Sequence, residues 1–280
     1  MPIRLEPTPT LADRLRAADR TLYGMWSCAG SPLVAEICAG SGLDILLIDG
    51  EHSPIGLESV VAQLQAAAAY PVTPVVRAPI GDAVILKQLL DLGAQNVLVP
   101  MVSAADEAEA MVRAVRYPPL GVRGVGSALA RSSRWSRIPD YVARAHELVS
   151  LTVQIETVEG LAAAAGIAAV DGVDALLVGP ADLAASMGLL GQQNHPEVVA
   201  AVESVLRAGR ETGKPVGVNA FDPAMAEHYT EAGAAWVLVG SDVTLLARAS
   251  EGLAERFIGV RVAGEREAGE RPAGEREAGR

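Results

Sequence analysis

The sequence predicts an α/β protein whose residues 1–259 form one closed (β/α)8 barrel, the TIM-barrel fold. At 280 residues the chain has the length of a single such barrel, which is typically about 250 residues. Apolar runs such as residues 45–48 show no polar alternation, which is typical of strands covered on both faces in a parallel sheet. Eight such runs alternate with helix-like segments, and this favours a closed barrel over the alternative of a doubly wound open sheet.

The predicted strands are residues 22–28, 43–48, 73–77, 96–101, 151–156, 175–178, 215–219 and 236–240. Helices are predicted at residues 32–39, 56–69, 83–92 and 104–116. The third of these helices begins after Asp82, a good N-cap, and ends at Gly93, because glycine is favoured just past a helix end. The fourth ends before Pro118, which cannot continue a helix.

Two segments interrupt this alternation. Residues 121–135 form a long loop rich in Gly, Ser and Arg, and loops of this length inside a compact domain are usually functional. The arginines in this loop and just after it are expected to contact either anionic substrates or a neighbouring subunit; they are Arg123, Arg131, Arg134 and Arg137. The other segment is a tail, residues 260–280, in which Ala-Gly-Glu-Arg units repeat. It lacks the apolar residues needed for a core, so we expect it to be disordered.

Composition excludes several classes of function. The net charge of −11 argues against a nucleic-acid partner, which requires a basic surface. No apolar stretch reaches the length of a membrane span, and residues 1–6 do not resemble a signal peptide, so we expect a cytoplasmic protein with no membrane partner. Cys28 and Cys38 have neither disulfide nor metal-site spacing and are expected to be free thiols.

Polar side chains follow four of the predicted strands. Asp49, Glu51 and His52 follow the second strand, Arg77 ends the third, Glu156 ends the fifth, and Asp182 follows the sixth. Because the carboxyl ends of parallel strands meet at one face of a barrel, these residues are predicted to form one active site there, for a small-molecule substrate.

Glu156 and Asp182 lie one βα unit apart and should sit on adjacent strand ends. Two carboxylates facing one cavity repel each other unless a cation lies between them, and hard oxygen ligands suit Mg²⁺ or Mn²⁺. The alternative is structural: Glu156 would assist Thr157 in capping a helix, and Asp182 would be a helix N-cap.

Other candidates also have structural alternatives. Arg77 is expected to hold a carboxylate or to stabilise an enolate oxygen, and the alternative is an ion pair with Asp49 or Asp82. His52, the only histidine at a predicted strand end, is a candidate for proton transfer or else a supporting residue. Asp91 ends a helix, where its charge opposes the helix dipole.

The segment of Gly179, Pro180 and Ala181 begins a short helix and could receive a substrate carboxylate. The lysines, by contrast, exclude one mechanism. Lys87 falls in the middle of a helix, and Lys214 precedes the seventh strand, at the end opposite to the site. Neither can form a Schiff base there, and pyridoxal phosphate is excluded for the same reason. A metal must therefore polarise any carbonyl group.

Seven segments closely resemble the HpcH/HpaI aldolase family, in matching order and spacing. They are residues 47–52, 76–77, 98–102, 116–119, 121–126, 154–157 and 179–183. The resemblance extends over about residues 11–257 and excludes the tail. It implies a barrel of the pyruvate/phosphoenolpyruvate type, assembled as a homo-hexamer from a trimer of dimers that exchange their last helix.

The resemblance also implies an activity. The protein would be a class II pyruvate aldolase that requires a divalent metal ion (Mg²⁺, Mn²⁺ or Co²⁺). It would cleave 4-hydroxy-2-oxo acids, such as 4-hydroxy-2-oxoheptane-1,7-dioate from aromatic compound catabolism, to pyruvate and an aldehyde, and would also run the reverse addition. The alternatives are another enolate-forming lyase or synthase, acting on a CoA thioester or by decarboxylation, and a non-catalytic metabolite-binding barrel.

Roles for individual residues follow from the same resemblance. Glu156 and Asp182 would bind the metal. Arg77 would bind the pyruvate oxygens and stabilise the enolate. His52 and Asp91 match residues assigned to proton transfer.

Further positions match supporting residues of the family. Asp49 matches an essential acid, Gln154 matches a glutamine that supports the site, and the backbone of residues 179–181 would bind the pyruvate carboxylate. Asn219 lies near the expected position of the aldehyde and departs from a more aliphatic family pattern. It is therefore a candidate substrate-binding residue, and it leaves the aldehyde unidentified.

Overall fold

The computed structural model describes residues 5–259 and contains a closed barrel of eight parallel strands in the order β1 to β8. This confirms the predicted fold class, and the open-sheet alternative is wrong. The strands are β1 Leu22–Ser27, β2 Ile45–Asp49, β3 Thr73–Arg77, β4 Asn96–Val99, β5 Ser150–Ile155, β6 Ala175–Val178, β7 Val216–Asn219 and β8 Trp236–Ser241.

Eleven α-helices lie in the described part of the chain. They are α1 Leu11–Ala17, α2 Pro32–Ala39, α3 Leu57–Ala67, α4 Ala83–Asp91, α5 Ala105–Val115, α6 Tyr141–Arg144, α7 Val158–Ala169, α8 Pro180–Ser186, α9 Pro196–Thr212, α10 Pro223–Glu231 and α11 Asp242–Ile258. A single 3-10 turn, Arg131–Ser133, lies in the loop between α5 and α6.

The chain divides into two compact units, Met1–Val243, which holds the barrel, and Thr244–Arg280. In the second unit the described residues complete helix α11, on which Leu245, Leu246, Phe257 and Ile258 are exposed. The predicted disordered tail lies outside the described residues. No helix among residues 5–259 is both long enough and apolar enough to span a membrane.

The barrel interior is filled by alternate residues of the strands, because successive side chains of a strand point to opposite faces. Ile45 and Leu47 on β2 join Val75, Leu98 and their counterparts in one buried apolar cluster. Their neighbours, such as Ile48, join the larger cluster between the strands and the helices. The same period makes the last residue of β2 an inward-facing position.

Glycine makes room for the largest interior side chain. A Cβ on Gly217 would lie 2.2 Å from Cε2 of Trp236, so only glycine at this position of β7 leaves space for the indole of β8. Trp236 is completely buried. Large and small residues therefore alternate between neighbouring strands.

The amino end of the barrel is covered by a helix that the sequence did not reveal. Thr10 and Asp13 form a capping box at the start of α1. Leu11 and Leu15 join the interior cluster, and the Leu11 amide donates to Asn96 Oδ1 at 2.6 Å, at the first residue of β4. This end of the barrel is thus closed by apolar side chains.

The long loop of residues 121–135 lies at the same amino-terminal side. It connects α5 to β5, and Arg131 Nη1 donates to the Leu92 carbonyl at 3.1 Å, just past the end of α4. Connections from helix to strand lie at the amino ends of the strands, opposite to the active-site face. Within one chain, therefore, the loop arginines do not reach that face.

Candidate active site

Arg77, the last residue of β3, is held between two carboxylates. Its Nε donates to Asp49 Oδ1 at 2.9 Å, and its Nη2 lies 2.8 Å from Asp49 Oδ2. Its Nη1 lies 2.9 Å from Glu51 Oε2, as an ion pair that lacks hydrogen-bond geometry. Asp49 and Arg77 are direct neighbours in the register of β2 and β3, and both are buried. The ion pair between Arg77 and Asp49, one of the structural alternatives for Arg77, is therefore present. The other alternative, a pair with Asp82, is not observed, because Asp82 caps α4.

The guanidinium of Arg77 also packs against an aromatic ring. Its Cζ lies 4.3 Å from the centroid of the Trp26 ring, and the Trp26 indole donates from Nε1 to Asn219 Oδ1 at 2.7 Å. Stacking on tryptophan and two acidic partners fix the orientation of the guanidinium. Asn219, expected to bind substrate, thus uses its amide oxygen to hold Trp26.

Glu156 follows β5 and is buried, with an exposed fraction of 3%. Its Oε1 accepts from the Met101 amide at 2.8 Å, and its Oε2 accepts from Gln154 Nε2. Burial raises the pKa of Glu156 to about 7, against the lowering effect of the Met101 amide. The charge of Asp182 raises this pKa further, and that of Arg77 lowers it.

Backbone features at two positions make room for Glu156. Gly179 follows β6, and a Cβ there would lie 2.8 Å from both Gln154 Nε2 and Glu156 Oε2. Met101 has a φ of +59°, an uncommon conformation for a residue other than glycine, and it directs its amide to Glu156. The capping alternative for Glu156 is not observed, because Thr157 caps α7 with its own side chain.

Asp182 lies in the first turn of α8 and is exposed. Gly179 is the N-cap of this helix, so the N-cap alternative for Asp182 is wrong. Pro180 and Ala181 form the start of the same helix, as expected.

The acidic groups fit a hard divalent cation. Burial, and then neighbouring carboxylates, raise the pKa of both Glu51 and Glu156, and Asp182 contributes to both shifts. A cation would relieve this repulsion. Within residues 5–259, no three His, Cys, Asp or Glu side chains are arranged to hold a metal ion by themselves. Glu156 and Asp182 are close enough for the charge of Asp182 to raise the pKa of Glu156, and a pair of carboxylate ligands would leave the other positions of a divalent ion for water and substrate.

His52 lies at the outer edge of the site. Its side chain is 66% exposed, and its Nε2 lies 3.8 Å from Glu51 Oε2. Its backbone amide donates to Asp49 Oδ1 at 3.3 Å, which ties the loop to the Arg77 cluster. A histidine at the rim can exchange protons with both solvent and a bound ligand.

Asp91 is not brought to the site within one chain. It is the last residue of α4, and Arg123 Nη2 donates to its Oδ1 at 2.7 Å. Arg123 is buried and stacks on Tyr117, with its Cζ 4.5 Å from the ring centroid. Because α4 runs from the carboxyl ends of the strands back to their amino ends, Asp91 lies at the opposite end of the barrel.

The two lysines lie away from the strand carboxyl ends. Lys87 is on helix α4, and Lys214 Nζ donates to the Val173 carbonyl at 2.6 Å, before the start of β6. Neither amine is placed to form a Schiff base with a ligand bound beside Arg77.

Sequence reasoning missed two functional contacts. The sequence places Glu51 among the predicted site residues but does not indicate that it is the second acidic partner of Arg77. The sequence identifies Trp26 only as part of a strand. Alternate residues of a strand point to the same face, so Leu22, Gly24 and Trp26 all face the barrel interior, and Trp26 is the one nearest the polar residues of the site. This spacing is the signal that could have identified it.

The chain is similar to several known proteins. The family described as HpcH/HpaI aldolase/citrate lyase matches residues 22–249. The hydroxypyruvate/pyruvate aldolase of Deinococcus radiodurans is 50% identical over 256 residues, 91% of this chain and 92% of that protein. The 4-hydroxy-2-oxo-heptane-1,7-dioate aldolase of Escherichia coli is 53% identical over 240 residues, 86% and 92% of the two chains. A crystal structure of a family protein from Burkholderia cenocepacia J2315 has a TM-score of 0.85 and 41% identity, and the match covers 89% of this chain and 98% of that one.

Proposed function

The chain belongs to the HpcH/HpaI aldolase family, a family of metal-dependent aldolases. We propose that this class II pyruvate aldolase cleaves 4-hydroxy-2-oxo acids reversibly to pyruvate and an aldehyde. One of the two relatives is named for 4-hydroxy-2-oxo-heptane-1,7-dioate and the other for hydroxypyruvate and pyruvate. Pyruvate chemistry is common to both names, and the proposal therefore starts from the pyruvate half of the reaction.

The observation that carries the proposal is the buried pair of opposite charges at the barrel mouth. Arg77 is held rigidly by Asp49, Glu51 and Trp26, and its charge is close enough to lower the pKa of Glu156. A fixed cation beside a pair of carboxylates suits the binding of a 2-oxo acid. When an enolate forms from such an acid, negative charge develops on the carbonyl oxygen, and the cation stabilises it.

Glu156 and Asp182 are the residues that would hold the divalent ion. When bound, the ion would act as a Lewis acid on the 2-oxo group. Gln154 supports this site by donating to Glu156, and Gly179 leaves space for that contact.

The chain's own groups supply the remaining chemistry. In the cleavage direction, Arg77 binds the oxygen of the 2-oxo group and stabilises the enolate that forms when the C3–C4 bond breaks. His52, at the rim, takes part in removing the proton from the 4-hydroxyl. The Ala181 amide in the first turn of α8 receives the carboxylate of the substrate, because Pro180 has no N–H and the Gly179 amide already donates to the Ile155 carbonyl. Asp49 keeps the guanidinium in place.

One of the implied roles requires a second copy of the chain. Asp91 lies at the opposite end of its own barrel, so the proton-transfer role implied for it needs the Asp91 of another subunit. We propose the homo-hexamer with exchanged last helices that the family resemblance implies, and the exposed Leu245, Leu246 and Phe257 of α11 support an assembly through this helix. A molecular mass measured by light scattering tests the hexamer directly.

The test of the activity is exchange of the pyruvate methyl protons for deuterium, followed by NMR in D2O. Exchange should be absent after chelation and should return with Mg²⁺ or Mn²⁺, because reversible enolate formation needs no aldehyde. A folded protein that shows no exchange with any divalent metal would contradict the proposal. The Tyr70→Phe variant is a matched control, because it keeps the ring that packs on the outer helical layer and removes only the hydroxyl, which donates to the exposed Glu36 carboxylate.

A further inference from the structure

A cavity adjoins the segment that we propose for binding pyruvate. It has a volume of about 220 Å³, and Pro180 and Ala181 form one side of it. The opposite side consists of residues that follow β7 together with part of α10, including Asn219, Phe221 and Tyr229. The cavity therefore extends from the start of α8 to the end of the neighbouring strand β7.

The polar groups that line this cavity are neutral, with one exception. Gln193, Asn194 and Asn219 contribute side-chain amides, and Tyr229 contributes a phenol. Among residues 5–259, Asp222 is the only ionisable carboxylate in the lining, and no Lys, Arg or His is part of it. An aldehyde that carries its own carboxylate would thus meet a negative charge and no cation.

Two of these groups, on Asn219 and Tyr229, have hydrogen-bonding atoms without a partner among the described residues. The Trp26 indole can only donate, so the Asn219 oxygen must face it, and the Asn219 amino group is left without a partner among the described residues. The hydroxyl of Tyr229 is buried and likewise has no partner within the described chain. A buried hydroxyl without a partner is costly, and a ligand hydroxyl would remove that cost.

We propose that this cavity is the subsite for the aldehyde and that it selects a neutral aldehyde bearing hydroxyl groups over one bearing a carboxylate. This inference rests on the proposed aldolase function and specifies the substrate class. In the addition, C3 of the pyruvate enolate bonds to the aldehyde carbon, and the aldehyde oxygen takes a proton to become the 4-hydroxyl. The step needs no oxidant or reductant.

Three aldehydes separate the contributions of hydroxyl and charge. Glyceraldehyde is neutral and hydroxylated, propanal has the same number of carbons without hydroxyls, and succinic semialdehyde carries a carboxylate. With pyruvate and Mg²⁺ or Mn²⁺, kcat/KM should be highest for glyceraldehyde. Its preference over propanal should be at least about tenfold, the size of one well-made hydrogen bond.

Two variants test the lining itself. Tyr229→Phe should reduce the preference for glyceraldehyde over propanal, whereas a purely structural role would lower both rates equally. Asp222→Asn should raise the rate with succinic semialdehyde severalfold at low salt, while asparagine still caps α10. The control Tyr70→Phe should leave both preferences as in the wild type.

The outcomes distinguish this inference from the function on which it rests. If pyruvate exchange fails in the wild type, the proposed function is wrong. If exchange occurs but succinic semialdehyde is the best aldehyde, the subsite inference is overturned. It is also overturned if Tyr229→Phe folds, exchanges pyruvate protons and keeps the wild-type preference.

Discussion

The buried carboxyl of Glu156 should make the stability of the metal-free protein depend on pH. Between pH 4.5 and 7, the folded protein holds a proton on this group that the unfolded chain has released. The free energy of unfolding therefore falls as the pH rises through this window. The stabilisation that the protonated Glu156 provides relative to its charged form is complete only below pH 4.5. Glu156→Gln should remove this fall.

The magnitude follows from the difference between the two pKa values. Moving from an ordinary value of 4.5 to about 7 corresponds to about 3 kcal/mol of unfolding free energy. The substitution should be tolerated structurally. A glutamine keeps an acceptor for the Met101 amide. Gln154 Oε1, which has no partner among the described residues, can accept from the new amide.

The assay is urea unfolding in EDTA at several pH values between 4.5 and 7.5, for wild type and Glu156→Gln in parallel. Subtracting the two curves removes the contributions of other carboxyls, such as Asp174, whose pKa is also raised by burial. Equal slopes for the two proteins would refute the reasoning. Added Mg²⁺ should then stabilise only the wild type, by about 2.7 kcal/mol at a hundredfold excess over its Kd.

Three further predictions concern groups that surround the site. Arg77→Ala should abolish pyruvate exchange and cost about 3–5 kcal/mol in urea unfolding, because the buried carboxylate of Asp49 and the partly buried one of Glu51 lose their cation. Unchanged stability would contradict the ion-pair geometry. Gly179→Ala should slow exchange and cost about 1–3 kcal/mol, since its Cβ would overlap Glu156, and a neutral effect would mean that the site has room to relax. Trp26→Phe keeps a ring against Arg77 but loses the donor to Asn219, so it should raise KM for pyruvate and cost about 1 kcal/mol, whereas an unchanged KM would exclude a positioning role.

Local signals predicted individual elements of the barrel closely. Asp82 caps α4 as predicted, and β3 has the predicted bounds, Thr73–Arg77. Both depend on interactions within a few residues, a side chain bonding to nearby amides or an apolar run that ends at a charge. The helix α1 was missed because its amphipathic face is only two turns long and its stability comes from contacts with β4.

Contacts between side chains on different strands could not be predicted from such local signals. That Arg77 is paired with Asp49 depends on the register of β2 against β3, and that Trp26 reaches Asn219 depends on closure of the barrel through β8. The position of Asp91 shows the same limit. Its place at a helix end was predicted, but the face of the barrel on which that end lies follows from the direction of the helix.

The sequence by itself determined the parallel barrel, the family, and the polar residues that end its strands, because burial on both faces imposes continuous apolar runs and the site interrupts them. Only the tertiary structure decided which of those residues act together. It places Arg77 between two acids and a tryptophan, surrounds Glu156 closely enough to raise its pKa, and leaves Asp91 at the opposite end. The physical reason is that charge interactions and desolvation depend on distances across strands, which are set by register and closure rather than by the order of residues along the chain.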